Sequence, residues 1–447
     1  MRRVHPTLPG LAVAVSFASR AVAEQRFPPP DFESGYHIPT ATTPPGHGML
    51  LQYADVAILA LCLGVAVWLI YQRRSRRGIF WLSLLSLGYF GFYRKGCICP
   101  IGSPQNIACG LLNPEYAVPV SVIAFFALPL VASLFAGRAF CSAVCPHGAL
   151  QDLVLLKPVK LPQWLEQGLS TVPFLLLGGG IACAASGIGF LICRIDPFVP
   201  LFRLSGTSTM ITLGFLTLAL GTVVGRPYCR FLCPYGAMLK LGSSVSKWRV
   251  TITPNECTKC RLCENSCPYG AIREPSPDDF AGKPVERERR RLGWLVIALP
   301  ILALSCAWAG YVLAPAAASL HPTVALAERY VRFQQHPTPL GVMTPESLSL
   351  ARAQENPQAT LDAAEAVRKR FRVVTALFGA WVGVVLGVKL ISLSPQRKRL
   401  DYEPDRGACF ACARCFADCP NERFRLGLPG EIPSAALTET PQPVTVK

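Results

Sequence analysis

Charge is scarce in this chain. Only 16% of its 447 residues are Asp, Glu, Lys or Arg, whereas 51% are hydrophobic. A soluble domain carries about 25% charged residues, so a solvent-bathed globule is excluded for most of the length. Acidic residues are the scarcer sign, 27 against 44 basic ones, for a formal charge of +17. That surplus invites a nucleic-acid reading, but the basic residues gather at the ends of apolar stretches, where they match the positive-inside pattern instead. Histidine is rare too: His5, His37, His47, His147, His321 and His336 are the full set. None lies inside an apolar stretch, which argues against a bis-histidine haem. No C-x-x-C-H sequence is present, nor a G-x-G-x-x-G turn or a P-loop. Covalent haem, dinucleotide and nucleoside-triphosphate chemistry are thereby set aside, and the chain shows no substrate chemistry of its own.

Apolar stretches take up the space instead. Seven approach the roughly 20 residues that span a bilayer: Leu51–Tyr71, Gly78–Tyr93, Ala117–Ala136, Pro173–Ile192, Thr207–Val224, Leu292–Leu313 and Val373–Leu390. The expected fold class is an all-α polytopic membrane protein of about seven transmembrane helices. Residues 1–23 read as a signal peptide or N-terminal anchor, since Arg2 and Arg3 precede an apolar run and Ala21-Val22-Ala23 resembles a cleavage site. Residues 24–50 read as an outer Pro/Thr-rich linker, 51–250 as a five-helix membrane domain, and 292–313 and 373–390 as two further transmembrane helices. Residues 314–372 form an outer loop, read as a small cap or docking surface, and 426–447 a C-terminal tail. Basic clusters at Arg73–Arg77, Lys157/Lys160, Lys240/Lys247/Arg249, Arg287–Arg291 and Arg397–Arg399 then share one side. With the N-terminus outside, that side and the C-terminus are cytoplasmic.

Cysteine is plentiful, with 19 residues, and its spacing is informative. Cys257-x2-Cys260-x2-Cys263-x3-Cys267-Pro268 recurs as Cys409-x2-Cys412-x2-Cys415-x3-Cys419-Pro420. This is the bacterial [4Fe–4S] pattern, in which the fourth cysteine of each run ligates the other cluster. One cluster is expected on Cys257, Cys260, Cys263 and Cys419, the second on Cys409, Cys412, Cys415 and Cys267. Zinc also uses C-x2-C pairs, but the 2-2-3 spacing followed by proline, twice over, favours iron–sulfur. The halves, 251–291 and 391–425, are split by a membrane hairpin. Two crossings return the second run to the side of the first, so the halves can form one cytoplasmic two-cluster ferredoxin-like module.

A second constellation is an internal repeat. Gly137-Arg138-Ala139-Phe140-Cys141-x3-Cys145-Pro146-His147-Gly148-Ala149 matches Gly225-Arg226-Pro227-Tyr228-Cys229-x3-Cys233-Pro234-Tyr235-Gly236-Ala237. Spacing of i, i+4 places two sulfurs on one helix face. Cys141, Cys145, Cys229 and Cys233 would present four thiols to one point, for a further iron–sulfur cluster or for thiol pairs; helix-end packing is the bland reading. Arg138 and Arg226 can offset thiolate charge there. A degenerate copy, Gly96-Cys97-Ile98-Cys99-Pro100-Ile101-Gly102-Ser103, falls at the outer face. Cys97 and Cys99 are read as an outer redox station, with Cys193 or Cys109, against a structural kink with no metal. Cys62, Cys183 and Cys306 read as packing residues, and His147 as a surface residue at the interface.

The paired C-x3-C-Pro motifs and the two ferredoxin runs resemble the NapH/NosR-type membrane ferredoxins, a group that includes CcoG-like proteins. The resemblance covers roughly Gly78 to Pro420. It implies a multi-pass protein of the bacterial inner membrane that embeds in lipid and relays electrons. The implied donor is a quinol or a cytoplasmic reductant, and the implied acceptor an outer flavoprotein, haem protein or reductase. Maturation of another respiratory complex, by reducing a metal or thiol, and redox-sensing regulation are the alternative roles. Two features depart from the group: no outer flavin-binding domain is evident, and the Cys97/Cys99 stretch is foreign to the simple NapH pattern.

Overall fold

A computed structural model of the chain describes residues 49–96, 100–112, 116–252, 257, 259–276, 285–335, 356–394, 399–425 and 427. The N-terminal targeting segment, its linker, Cys97, Cys99 and the C-terminal tail lie outside the described residues. The described part is helical apart from one two-stranded antiparallel ladder.

Four helices are long and apolar enough to cross a membrane: Leu50–Tyr71, Gln163–Ser186, Arg289–Ala318 and Pro357–Leu393. They overlap four of the expected spans, although Gln163–Ser186 begins before Pro173 and ends before Ile192, the bounds of the expected stretch. The stretches at 117–136 and 207–224 form shorter apolar helices, Val120–Ala136 and Ser208–Gly221. At 1.5 Å per residue these rise only about 26 and 21 Å, less than the roughly 30 Å hydrocarbon core. The stretch at 78–93 behaves differently again. It forms Arg76–Ser86 and continues as a seven-residue π-helix, Leu87–Tyr93. Ser83 and Ser86 are buried, and the Ser86 hydroxyl donates to the Val144 carbonyl. This segment packs against the cysteine repeat rather than facing outward along its whole length.

Side-chain periodicity sets how the first span sits. Leu59, Leu63, Ala66 and Ile70 recur at helical spacing and are buried, while Leu61 and Trp68 are exposed, the stripe expected of a helix with one face on a core. The hairpin between the ferredoxin halves is held differently. Its helices, Val285–Ala318 and Pro357–Leu393, approach through glycine. A Cβ on Gly379 would fall 2.1 Å from the Cys306 carbonyl oxygen, one on Gly383 2.6 Å from the Ala303 Cα, and one on Gly310 2.2 Å from the Thr375 oxygen. Small residues four apart let membrane helices touch backbone to backbone. Trp381 ties the hairpin to the rest, its indole donating to the Phe174 carbonyl at 2.8 Å. Beyond the hairpin the second helix extends back to Pro357, and Pro322–Gln335 packs on it through Val324, Ala327, Ala364 and Phe371. The expected cap is therefore helical where it is described.

The two ferredoxin halves meet in the ladder. Ile272 pairs with Pro404 and Arg273 with Glu403, and the Asp405 amide donates to Ala271 O at 2.7 Å. Sequence neighbours of the two cysteine runs, 132 and 130 residues apart in the two pairs, become adjacent strands. Gly383→Leu should force the hairpin apart, at about 1–3 kcal/mol or more for overpacking. A lowered unfolding temperature in detergent is the expected result, with Gly64→Ala, where a Cβ meets nothing within 4 Å, unchanged.

Candidate iron–sulfur centres

The two ferredoxin runs fold alike. In each, the residue two after the first cysteine and the residue after the second have positive φ: Lys259 at 52° and Arg261 at 62°, Ala411 at 54° and Ala413 at 59°. Left-handed turns by non-glycine residues are unfavourable, and their recurrence at matched positions shows both loops wound the same way. Such winding turns backbone N–H groups inward, as anion-binding nests do; the Ala411 amide lies 3.4 Å from the Cys409 sulfur. A short helix follows each loop, Leu262–Ser266 and Arg414–Asp418. The prolines after the last cysteines turn the chain away.

The thiols group across the halves. Cys263 is pushed up to about 11, by burial and then by the neighbouring Cys257, Cys260 and Cys419, against a lowering backbone hydrogen bond. Cys409 is pushed up to about 12, by burial first, with Cys412 and Cys267 adding to it. So Cys419 stands with the first run and Cys267 with the second, the exchanged arrangement. Neutral buried thiols are poor nucleophiles; their proximity has chemical use when a metal displaces the protons. Among the described residues no group of three or more His, Cys, Asp or Glu closes on a single-ion site. Cluster ligands differ from zinc ligands in that each bonds a different iron.

The module sits directly on the membrane cysteine repeat. Pro268 O lies 2.6 Å from where a Gly225 Cβ would stand. Ser243 Oγ donates to Arg406 O at 3.0 Å, and Arg76 Nη1 to Cys412 O at 3.4 Å. Phe410, next to Cys409, packs on Tyr269 with ring centroids 4.8 Å apart. The same ring lies under two guanidiniums, Arg138 at 4.0 Å and Arg226 at 5.2 Å. These two arginines belong to the repeat.

Cys141, Cys145, Cys229 and Cys233 are all buried and close enough that the charges of the other three act on Cys233. Their helices are not the continuous ones that i, i+4 spacing suggested. Cys141 lies in Ala139–Ala143, and Cys145 precedes a new helix, Pro146–Val154. Cys229 and Cys233 are divided in the same way between Pro227–Phe231 and Pro234–Ser244. The proline is the cause: the residue before it is driven to extended backbone, and Cys145 and Cys233 have ψ of 118° and 111°. The repeats then clasp. Arg138 donates to Cys229 O at 3.5 Å, and Arg226 to Cys141 O. Gly148 and Gly236 leave space for this exchange, since a Cβ would stand 3.1 Å from Arg226 Nη1 and 3.3 Å from Arg138 Nη2.

Arg226 is fully buried and meets Asp152 through two bonds, Nε to Oδ1 at 3.0 Å and Nη2 to Oδ2 at 2.8 Å. Burial opposes the charge on Asp152, but Arg226, with Arg414 and Arg76, holds its carboxyl well below the usual carboxylate range. Tyr269 also donates to Asp152 Oδ1 at 2.6 Å. Arg138 is unmatched by any comparable carboxylate, and its Nε is buried with no hydrogen-bond partner among the described residues. Four soft sulfur donors beside surplus positive charge fit a thiolate-ligated iron–sulfur cluster, whose net charge is negative.

On the side away from the module, His147 is buried rather than at the surface, a correction with a clear cause. Its ring is enclosed by Phe198, Phe202 and Tyr228 and pairs through Nε2 with Asp196 Oδ2 at 3.2 Å. Tyr228 Oη donates to the same oxygen at 3.0 Å. Beyond them opens a cavity of about 470 Å³ whose lining includes Asp55, Arg94, His147, Cys193, Asp196 and Arg203. Asp55 and Arg94 form an ion pair at 2.5 Å. Cys193 borders Gly102, with Sγ 2.5 Å from a Gly102 Cβ position. Cys109 instead lies against the Ala184 carbonyl, 3.7 Å away. Sequence reasoning missed Gln151, Asp152 and Asp196. Aligning the repeat past its glycine exposes the first two, because Leu239 and Lys240 stand at the matching positions.

A 4Fe-4S binding domain model matches residues 118–163 and 206–253, the two copies of the repeat, and a second 4Fe-4S binding domain model matches 250–273. With its membrane helices, the chain is thus a membrane iron–sulfur protein. It is similar to YccM of Escherichia coli, named for electron transport, at 32% identity over 189 residues, covering 38% of this chain and 52% of the relative. NirI of Paracoccus denitrificans is 25% identical over 242 residues, 50% of this chain and 36% of that one. Regulatory protein NosR of Pseudomonas aeruginosa is 23% identical over 223 residues, 45% and 30%. The chain spans about half or less of the length of these relatives, and no solved structure matches it. Over these regions it is similar to NirI and NosR and carries 4Fe-4S binding domains.

Asp152→Asn should leave Arg226 buried without its counter-charge, a loss of about 3–5 kcal/mol. Thermal unfolding in detergent should fall sharply, whereas Glu365→Gln, which opens an exposed pair, should leave it unchanged.

Proposed function

We propose that this chain is a membrane electron relay with three iron–sulfur centres in contact. Cys257, Cys260, Cys263 and Cys419 hold one [4Fe–4S] cluster, Cys409, Cys412, Cys415 and Cys267 a second, and Cys141, Cys145, Cys229 and Cys233 a third. When bound, such clusters take up and release one electron at a time. The residues of this chain enclose the sulfurs, exclude water and set the local charge. The observation that carries the reading is the unbroken packing from Cys409 through Phe410 and Arg138 to the carbonyl of Cys229.

The ferredoxin end faces the cytoplasm of a bacterium and the cavity end faces outward, consistent with basic clusters gathered beside the module. Seven crossings of the inner membrane, with the N-terminus outside and the C-terminus inside, fit this orientation. A quinol or a cytoplasmic reductant is the donor and an outer flavoprotein, haem protein or reductase the acceptor. The cavity is the exchange port at the outer end. Its volume lies within the roughly 300–1,000 Å³ of small-molecule sites, and intramembrane charges such as Asp55 and Arg94 mark functional paths. Gly96 and Ile101, which flank the Cys97/Cys99 stretch in sequence, line that port, and Cys97 and Cys99 are assigned as the outer station. Similarity to the regulatory protein NosR supports a regulatory role as a second reading, here through redox sensing, and reduction of a metal or thiol during maturation is a third. Rapid reoxidation of the reduced chain by an outer acceptor separates the relay from both.

Iron and acid-labile sulfide should reach about twelve per chain, since two ferredoxin clusters account for only about eight. Cys145→Ser/Cys233→Ser should lose about four irons and one EPR signal; a value of about eight in the unaltered chain sinks the third centre. Cys97→Ser/Cys99→Ser should change the iron content or the EPR spectrum if those residues hold metal.

A further inference from the structure

The two copies of the repeat are near-equivalent in backbone yet unequal around their sulfurs. Each copy gives one matched bond to its second cysteine: the Gly236 amide donates to Cys233 Sγ at 3.2 Å, and the Gly148 amide bonds Cys145 likewise. The first cysteines differ. Gln151 Nε2 donates to Cys229 Sγ at 3.2 Å. The residue matching Gln151 in the other copy is Leu239, which has nothing to donate. Gln151 is fully buried, and its amide is pinned in one sense. Oε1 accepts from the Tyr228 amide at 3.0 Å, so the NH₂ group must face outward to Cys229 Sγ and to His147 O, 2.9 Å away. All of its hydrogen-bonding capacity toward this site is committed.

We infer that Gln151 is a positioning residue that raises the reduction potential of the membrane four-cysteine centre through its N–H···S bond to Cys229. The inference rests on the reading that these four cysteines hold a cluster. A reduced cluster carries one more negative charge than an oxidised one, and that charge is shared with the thiolate sulfurs. A donor aimed at a sulfur stabilises the reduced form more than the oxidised form, and hydrogen bonds to sulfur are among the features that set cluster potentials. Burial strengthens the effect because no water competes. The bond is also one-sided. It falls on the half of the centre that faces His147, Tyr228 and Asp196, while the Leu239 half faces Tyr235, Phe140 and Phe126. The polar choices of the two copies thus collect on the side of the cavity.

EPR-monitored redox titration of the full-length chain, carrying its clusters in detergent, tests this. Gln151→Leu copies the other repeat and should shift the midpoint of the membrane centre downward while both ferredoxin midpoints stay in place. Gln151→Glu keeps the acceptor for the Tyr228 amide but removes the donor to sulfur, and should shift it the same way. Leu239→Gln, which places a donor at the matching position, should shift it upward. A third signal whose midpoint is the same in Gln151→Leu, Gln151→Glu and the unaltered chain overturns the role of Gln151 alone. Loss of that signal and its iron in both Gln151 variants overturns it as well, by making Gln151 structural. Absence of a third signal in the unaltered chain, with iron unchanged in Cys229→Ser, overturns the underlying reading and the inference with it.

Discussion

Asp152 is the point on which separate parts of this molecule converge. Its carboxylate, on the helix after the first cysteine pair, accepts two hydrogen bonds from the fully buried Arg226 of the second copy of the repeat. It also accepts from Tyr269 in the first ferredoxin half, and it lies 3.9 Å from Arg414 in the second. Arg76, at the turn after the first span, completes the set at 3.5 Å. An unpaired charge in such a place costs several kcal/mol, so the partners have little freedom to separate. One carboxylate thereby couples the closure of the cysteine repeat to the seating of the ferredoxin module.

Duplication operates at two levels. The ferredoxin runs share their left-handed turns and exchange their fourth cysteines. The membrane repeats share a proline-broken helix and exchange their arginines, each capping a carbonyl of the other. Exchange makes each half incomplete without its partner, which explains how halves separated by a membrane hairpin still form one unit. The interface between the two levels is aromatic and cationic, with Phe410 and Tyr269 against Arg138 and Arg226. That combination excludes water and keeps positive charge beside buried sulfur.

Much of this was legible beforehand. Cysteine spacing marked both ferredoxin runs and the membrane repeat, because short loops leave their geometry in local spacing, and the fold sets Cys419 beside the first run and Cys267 beside the second. Four of the expected spans are long apolar helices, since length and hydropathy are local too. The stretch at 78–93 was harder to read: its apolar content looks like a span, yet its buried serines and π-helical end serve contacts with the repeat. His147 was misjudged because a lone histidine near a helix end is ordinarily exposed, and only Phe198, Phe202 and Asp196, some fifty residues away, enclose it. The i, i+4 spacing of the cysteine pairs implied single helices, but Pro146 and Pro234 force the preceding residue out of helical geometry.

The amino-acid order by itself determined the class of chemistry: thiol donors in the 2-2-3 pattern, apolar helices and the duplicated C-x3-C-Pro motif. These depend on neighbours within a few residues, where covalent geometry and hydropathy dominate. Tertiary structure alone decided which thiols face one another, that Arg226 is neutralised by Asp152, that Gln151 reaches one sulfur and not its counterpart, and that a cavity lies beyond His147. Those outcomes depend on pairings across tens to hundreds of residues, where burial makes each unmatched charge or amide costly and thereby selects a single arrangement.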